Sequence, residues 1–238
     1  MNSVTKLLKE LGVDNVDTKT KVLEKYMSEI LILNESVNLT AITNREEFVE
    51  KHYLDSLLCA KSPEFINAKK VIDIGTGGGF PGIPLAVAFP EKKFVLVDSL
   101  NKRVEIIRCL CKKLDIGNVT AVHERAENLA RKKNMREGFD LCVSRAVANM
   151  STLAEYCLPF VRKGGSFIAY KGPGCEEELA AAEGAIEILG GELDRVDLAQ
   201  TSDANFFHRL IYVRKIKNTP ETYPRKAGIP AKNPIKCK

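Results

Sequence analysis

The sequence predicts a doubly wound α/β protein: a mostly parallel sheet, closed by an antiparallel hairpin and preceded by a helical extension. Three observations carry this. Strand-like and helix-like segments alternate over residues 66–218, the pattern of a parallel sheet with helices on both faces. Within that region Val71-Ile72-Asp73-Ile74 runs into Gly75-Thr76-Gly77-Gly78-Gly79-Phe80-Pro81-Gly82. A short apolar strand followed by a glycine turn and a helix start is a nucleotide-binding corner. The last two strand candidates, Arg195–Leu198 and Phe207–Lys215, are joined by the polar loop Gln200–Asn205. A loop this short suits a hairpin rather than a crossover.

The elements follow in order. Thr18–Asn34 reads as an amphipathic helix, with Leu23, Tyr26, Met27, Ile30 and Leu31 on one stripe. Glu46–Ala60 reads as a second, with Val49, Tyr53 and Leu57 at spacing four. Between them Asn38-Leu39-Thr40-Ala41-Ile42-Thr43 is a loop. Residues 1–65 therefore form the helical extension, bounded near Pro63. In residues 66–218 the parallel strands are predicted at Lys70–Ile74, Lys93–Asp98, Val119–His123, Phe139–Ser144 and Ser166–Lys171. The clearest helix is Asn101–Asp115, with Gly117 just past its end. Residues 219–238 hold four of the ten prolines and five Lys/Arg against one Asp/Glu. Repeated proline precludes helix or sheet, so this reads as a basic extended arm.

Composition narrows the function classes. Residues 1–60 carry seven Lys/Arg against ten Asp/Glu, and residues 61–218 carry 24 against 20. The basic excess thus lies on the middle and the tail, which permits a nucleic-acid partner without requiring one. No run of ~20 apolar residues could cross a membrane, and Met1–Leu11 lacks the apolar core of a signal peptide. The seven cysteines are scattered without a C-x-x-C pair. A disulfide framework or a zinc site is therefore not expected, and a reducing cytoplasm fits best. His52, His123 and His208 are dispersed and have no ligand spacing.

Two ligand classes compete for the glycine corner. Gly77-Gly78-Gly79-Phe80-Pro81-Gly82 matches the G-x-G-x-x-G of NAD and FAD domains. Yet the last apolar residue of the strand is Ile74, so Gly75 opens the turn and Asp73 lies two places before it. In that register Val-Ile-Asp-Ile-Gly-x-Gly-x-Gly resembles motif I of S-adenosylmethionine (SAM) methyltransferases. Asp73 can favour the ammonium of an amino acid, and the glycine backbone can meet its chain. Asp98 ends the second strand, 23 residues after Gly75, where a carboxylate accepts ribose hydroxyls in either class. The other reading of Asp98 is a helix N-cap. Ala126 and Glu127 follow the third strand, on the side where SAM enzymes meet adenine. Arg145 follows the fourth strand, at the edge where substrate meets cofactor in a doubly wound sheet. Lys171 follows the fifth, and either contacts phosphate or simply ends the strand. No Asn/Asp-Pro-Pro-aromatic element follows the fourth strand and no Pro-Cys nucleophile is present. Exocyclic amines and pyrimidine C5 are therefore disfavoured as targets.

Taken together, Phe80-Pro81-Gly82-Ile83-Pro84-Leu85, Val97-Asp98-Ser99-Leu100 with Lys102-Arg103, Ala126-Glu127, Ser144-Arg145-Ala146 and Lys171-Gly172 resemble the GidB/RsmG family. Asn38-Leu39-Thr40-Ala41-Ile42, His52-Tyr53-Leu54-Asp55-Ser56 and the tail Tyr223-Pro224-Arg225-Lys226 with Gly228 and Pro230 extend the likeness over nearly the whole chain. The resemblance implies a Rossmann-like class I SAM-dependent methyltransferase that modifies guanine N7 of bacterial 16S ribosomal RNA, with no metal. It implies cofactor contacts at Gly75, Phe80, Ala126, Glu127 and Arg145, with Asp98 expected at the ribose; Asp73 and Gly77 join the expected cofactor site from the motif I reading above. It implies RNA contacts at Asn38, Arg145, Lys171 and the tail residues Arg225 and Lys226; the placement of Arg145 after the fourth strand suggests that it bridges cofactor and substrate. The expected partner is 16S rRNA or the 30S particle, and the expected protein is a cytoplasmic monomer. A small-molecule methyltransferase, an NAD enzyme and a non-enzymatic ribosome-assembly factor are the competing readings. The basic tail and the closing hairpin oppose the first two, and the intact Asp73, Gly75, Gly77 and Asp98 oppose the last.

Overall fold

The computed structural model describes residues 1–145, 148–199 and 208–236. Its centre is a seven-stranded sheet in the order β3-β2-β1-β4-β5-β7-β6. The strands are β1 (Lys70–Ile74), β2 (Lys93–Asp98), β3 (Val119–His123), β4 (Phe139–Arg145), β5 (Val161–Lys171), β6 (Gly191–Ala199) and β7 (His208–Lys215). Strands β1 to β5 pair in parallel. β7 is antiparallel both to β5 and to β6, so the closing hairpin is as expected. Phe207 and the loop Gln200–Asn205 lie outside the described residues. The chain runs outward from β1 through β2 to β3, then returns to place β4 on the other side of β1. That reversal makes β1/β4 the switch point, where the carboxyl ends of the strands open a crevice.

Side chains alternate between the two faces of the sheet, as the pleat requires. Val71, Leu141, Val143, Ile168 and Tyr170 join one core cluster, and Ile72, Ile74, Cys142, Phe167 and Ala169 join the other. The first core also takes in the N-terminal region, including Leu23, Tyr26, Phe48, Tyr53 and Phe65. The helical extension is thus packed on one face of the sheet and shares its core. The region contains α1 (Asn2–Glu10), not foreseen from the sequence, and α2 (Val16–Asn34). The segment read as one helix over Glu46–Ala60 is helical throughout but uneven. It runs as α3 (Arg45–Phe48), a π-helical stretch Val49–Leu54, α4 (Asp55–Leu57) and a 3₁₀ turn Leu58–Lys61. Asn44 caps α3 by accepting from the amides of Glu46 and Glu47. Then α5 (Pro63–Asn67) starts with Ser62 as its cap and proline in its first turn.

Around the sheet lie α6 (Gly82–Ala88), α7 (Asn101–Lys113), α8 (Ala126–Leu129), α9 (Met150–Cys157), α10 (Glu176–Ala180) and α11 (Glu183–Ile188). The proline-rich tail departs from the expected extended arm. It contains a short helix, α12 (Ile229–Lys232), with Pro230 in its first turn, where a missing N–H costs nothing. It is also fastened to the body. Arg136 donates to the carbonyls of Tyr223 and Thr219, and Ile235 is buried in the second core. Among the described residues no helix is long and apolar enough to cross a membrane. None of the described His, Cys, Asp and Glu residues cluster so as to hold a metal ion.

Candidate active site

The glycine corner is built around one carboxylate. Asp73 is fully buried at the end of β1. Its Oδ2 accepts from the Thr76 hydroxyl at 2.7 Å and from the Gly82 amide at 2.9 Å, which ties the strand end to the start of α6. Its Oδ1 has no partner among the described residues. Burial raises its pKa from 3.8 to about 7, against the lowering influence of those hydrogen bonds and of Arg145. Gly75 and Gly77 lie at φ 73° and 59°, a region that other residues enter only with strain. Gly79 has φ 95°, and a β-carbon there would come within 2.6 Å of both Ile83 and the Tyr26 hydroxyl.

Asp98 stands opposite. Its Oδ2 accepts from the Gly77 amide at 2.9 Å, so the second strand holds the glycine turn in place. Its Oδ1 accepts from the Leu100 amide at 2.9 Å. This is a local turn before α7, not the N-cap, which is Leu100. A cleft of about 240 Å³ opens at this edge, lined among others by Gly75, Asp98, Ala126, Glu127, Tyr156 and Ala231. Of the expected cofactor positions, Gly75, Asp98, Ala126 and Glu127 meet in this cleft, whereas Asp73 and Gly77 do not line it. A larger groove, about 870 Å³, lies at the opposite, amino edge of the sheet beside Lys70, Lys93 and Phe94. Parallel sheets bind ligands at the carboxyl edge, and the groove at the amino edge holds none of the predicted site residues.

Phe80 and Arg145 are placed differently from the expectation. Phe80 is 4% exposed and does not line the cleft. Its ring stacks on His52 with centroids 4.3 Å apart, and edges of Tyr26 and Phe48 close around it. Arg145 lies over the same ring at 5.7 Å. Its Nη1 donates to Asp55 at 2.6 Å and to the Lys51 carbonyl at 2.7 Å, and its Nη2 donates to His52 Nδ1 at 2.9 Å. Asp55 is fully buried and also pairs with His208. A guanidinium can only donate, so His52 Nδ1 is the acceptor. Burial, then Arg145, lowers the His52 pKa to about 3, so the ring is neutral. The proton is therefore on Nε2, 2.7 Å from the Thr40 hydroxyl oxygen. Sequence reasoning missed this relay from Asp55 to Thr40. Its one outward sign is the polar set His52, Asp55 and Ser56 interleaved with the apolar residues Tyr53, Leu54, Leu57 and Leu58.

The residues expected at RNA divide into two groups. Asn38 is exposed, with its carbonyl accepting from Arg103, and Lys226 is exposed. Lys171 instead donates to Glu178 and to the carbonyl of Ala148, both at 2.6 Å, because it must hold the chain that follows β4. Arg225 clasps the fully buried Glu155 with its backbone amide, Nε and Nη2. Neither is a free surface cation, since each neutralises a carboxylate within the fold.

The comparisons with known proteins agree with this geometry. The chain resembles an O-methyltransferase of Bacillus cereus solved in complex with SAH, at TM-score 0.53 and 17% identity, covering 80% of this chain and 91% of that one. It also resembles M. jannaschii TYW2 in complex with AdoMet, at TM-score 0.52 and 16% identity, over 74% and 80% of the two chains. These likenesses place the fold among class I methyltransferases. Ribosomal RNA small subunit methyltransferase G of Clostridium botulinum (strain Eklund 17B / Type B) is 52% identical over 85% of each chain. The protein of the same name in Desulforamulus reducens is 45% identical over 99% of this chain and 100% of its own. Residues 19–207 match the family model GidB, rRNA small subunit methyltransferase G. By that match and those identities, the chain belongs to the GidB family of small-subunit rRNA methyltransferases.

Proposed function

We propose that the chain methylates guanine N7 in 16S ribosomal RNA, with SAM bound at the carboxyl edge of β1, β2 and β3. When bound, SAM supplies the methyl group. The observation that carries the reading is the cleft lined by Gly75, Asp98, Ala126 and Glu127 at a glycine turn that Asp98 holds in place, with the unpartnered Oδ1 of Asp73 buried one turn behind it. A buried carboxylate with one empty acceptor position suits the ammonium of the methionine portion. Asp98, Ala126 and Glu127 line the cleft where the adenosine portion would lie.

The chain has little proton chemistry to perform. Guanine N7 presents a lone pair in the ring plane, so no base need remove a proton. The work of the protein is to hold N7 in line with the methyl group and to keep water out. The Asp55–Arg145–His52 relay fixes the carboxyl end of β4, next to the switch point, in one arrangement. Arg145 is then a positioning residue in this state, and it reaches the substrate only if the base displaces one of its present acceptors. Asn38 and Lys226 are the exposed polar groups assigned to the RNA. The RNA base must be unstacked, because a base inside a helix offers N7 only in the narrow groove. The substrate is the rRNA alone or in the 30S particle, acted on in the cytoplasm by a monomer.

The test supplies methyl-labelled SAM with 16S RNA, free and in 30S particles. Label should appear in RNA, and digestion should return it as 7-methylguanosine. Label on another atom or another base would overturn the N7 assignment.

A further inference from the structure

We infer that the C-terminal segment Tyr223–Lys232 is a wall of the cofactor cleft that positions Glu127 for the adenosine portion of the ligand. The inference rests on the assignment of that cleft to SAM. It assigns the tail a task other than RNA capture, and it concerns residues beyond the 19–207 matched by the family model.

Four contacts converge on it. The Gly228 amide donates to Glu127 Oε1 at 2.8 Å, across 101 residues of chain. Glu127 is 4% exposed, and its Oε2 has no protein partner among the described residues. One oxygen is thus fixed by the tail and the other is left to accept from a ligand hydroxyl or amine. Ala231, in α12, lines the same cleft as Gly75, Asp98 and Glu127. Arg225 anchors the segment to buried Glu155, and the Thr152 hydroxyl donates to the Pro230 carbonyl at 3.0 Å. Both anchors lie on α9, the helix that also brings Tyr156 to the cleft. The tail reaches Glu127 at a defined height because α9 sets it.

Gly228 makes the approach possible. It has φ 83°, so its amide can face Glu127 while the chain turns into α12. A carboxylate pinned by a charge-assisted backbone bond loses rotamer freedom before the ligand arrives, which is pre-organisation.

Calorimetry on the full-length protein with S-adenosylhomocysteine and with adenosine separates the possibilities. Ala231→Trp, at an exposed position, should weaken both ligands by about tenfold or more with an unchanged melting temperature. Arg225→Ala should weaken both, and Arg225→Lys should restore part of the loss. Asp98→Ala reports on the cleft itself. If Asp98→Ala weakens binding while Ala231→Trp and Arg225→Ala leave it unchanged, the tail is not part of the site. Tail variants that lose only 16S RNA binding would exclude the tail from the cleft in the same way. If Asp98→Ala has no effect, the cleft assignment has failed and this inference falls with it.

Discussion

Replacing Asp73 by asparagine should change the stability of this protein in opposite directions at acid and alkaline pH. The carboxyl is fully buried and its pKa rises from 3.8 to about 7. That is about three units at ~1.4 kcal/mol each, or ~4 kcal/mol. Because the folded-state value is the higher one, the folded protein binds this proton more tightly than the unfolded chain. The favourable contribution is complete below pH ~4, declines through pH 4–7 and is gone above that. Asparagine carries no charge and so avoids the penalty at high pH. Its carbonyl can still accept from Thr76 and Gly82, but its NH2 then lies where Oδ1 now has no partner, at a cost of ~1–3 kcal/mol. The Asp73→Asn protein should be ~1–3 kcal/mol more stable than the native protein at pH 8 and less stable by a similar amount at pH 4. Urea unfolding at several pH values measures this. Binding of SAM at pH 8 should weaken by about tenfold or more through loss of the charge partner. A stability difference that stays constant from pH 4 to 8, or unchanged SAM affinity, would refute the reasoning.

Three further outcomes are expected. The His52 ring, with a pKa lowered to about 3, should show no titration by NMR between pH 5 and 8; its depressed value contributes stability above pH ~6.5 that is lost as pH falls, about 2 kcal/mol by pH 5. This loss opposes the gain from Asp73 over the same range, so the two are to be separated by the single variants, with His52→Gln removing the histidine share. Arg145→Met strands the buried Asp55 with His208 alone and should cost about 3–5 kcal/mol, measured by urea unfolding; Asp55→Asn in the same chain should recover part of that, and loss of activity in the single variant is interpretable only beside this control. Gly79→Ala should destabilise by more than ~2 kcal/mol, since it adds a clash with Ile83 and Tyr26 to the φ strain, whereas Gly77→Ala, with open space around its β-carbon, should cost only ~1–2 kcal/mol of strain by thermal melting.

The fold is legible where local pattern and burial agree. β1 and β2 are short apolar runs between turn signals, and their bounds match the expectation to the residue, as do those of β3. β5 begins earlier than expected, at Val161, because its first residues, Arg162 to Gly164, are exposed and lack an apolar signal. The helix α1 escapes notice although Val4, Leu7 and Leu8 have helical spacing; it is one short amphipathic stretch beside a stronger one. The placement of Asp73, Gly75, Gly77 and Asp98 around the ends of β1 and β2 is readable because their spacing from strand ends is local. The destinations of Arg145, Lys171 and Arg225 are not. The carboxylates Asp55 and Glu155, which hold Arg145 and Arg225, lie 90 and 70 residues away, and no spacing rule reports which surface cation will neutralise a buried carboxylate. The tail differs from expectation for a related reason. Its prolines exclude the interior of a helix but not the first turn, and its anchors are tertiary.

The cofactor's place in the cleft at the carboxyl edge of β1, β2 and β3 is tested most directly by a crystal structure of the chain with S-adenosylhomocysteine. The ligand's amino group should lie at Asp73 Oδ1, its ribose at Asp98, and its adenine between Glu127 and Ala231. Ligand density in the groove beside Lys70, Lys93 and Phe94, with the carboxyl-edge cleft filled only by water, would contradict that placement.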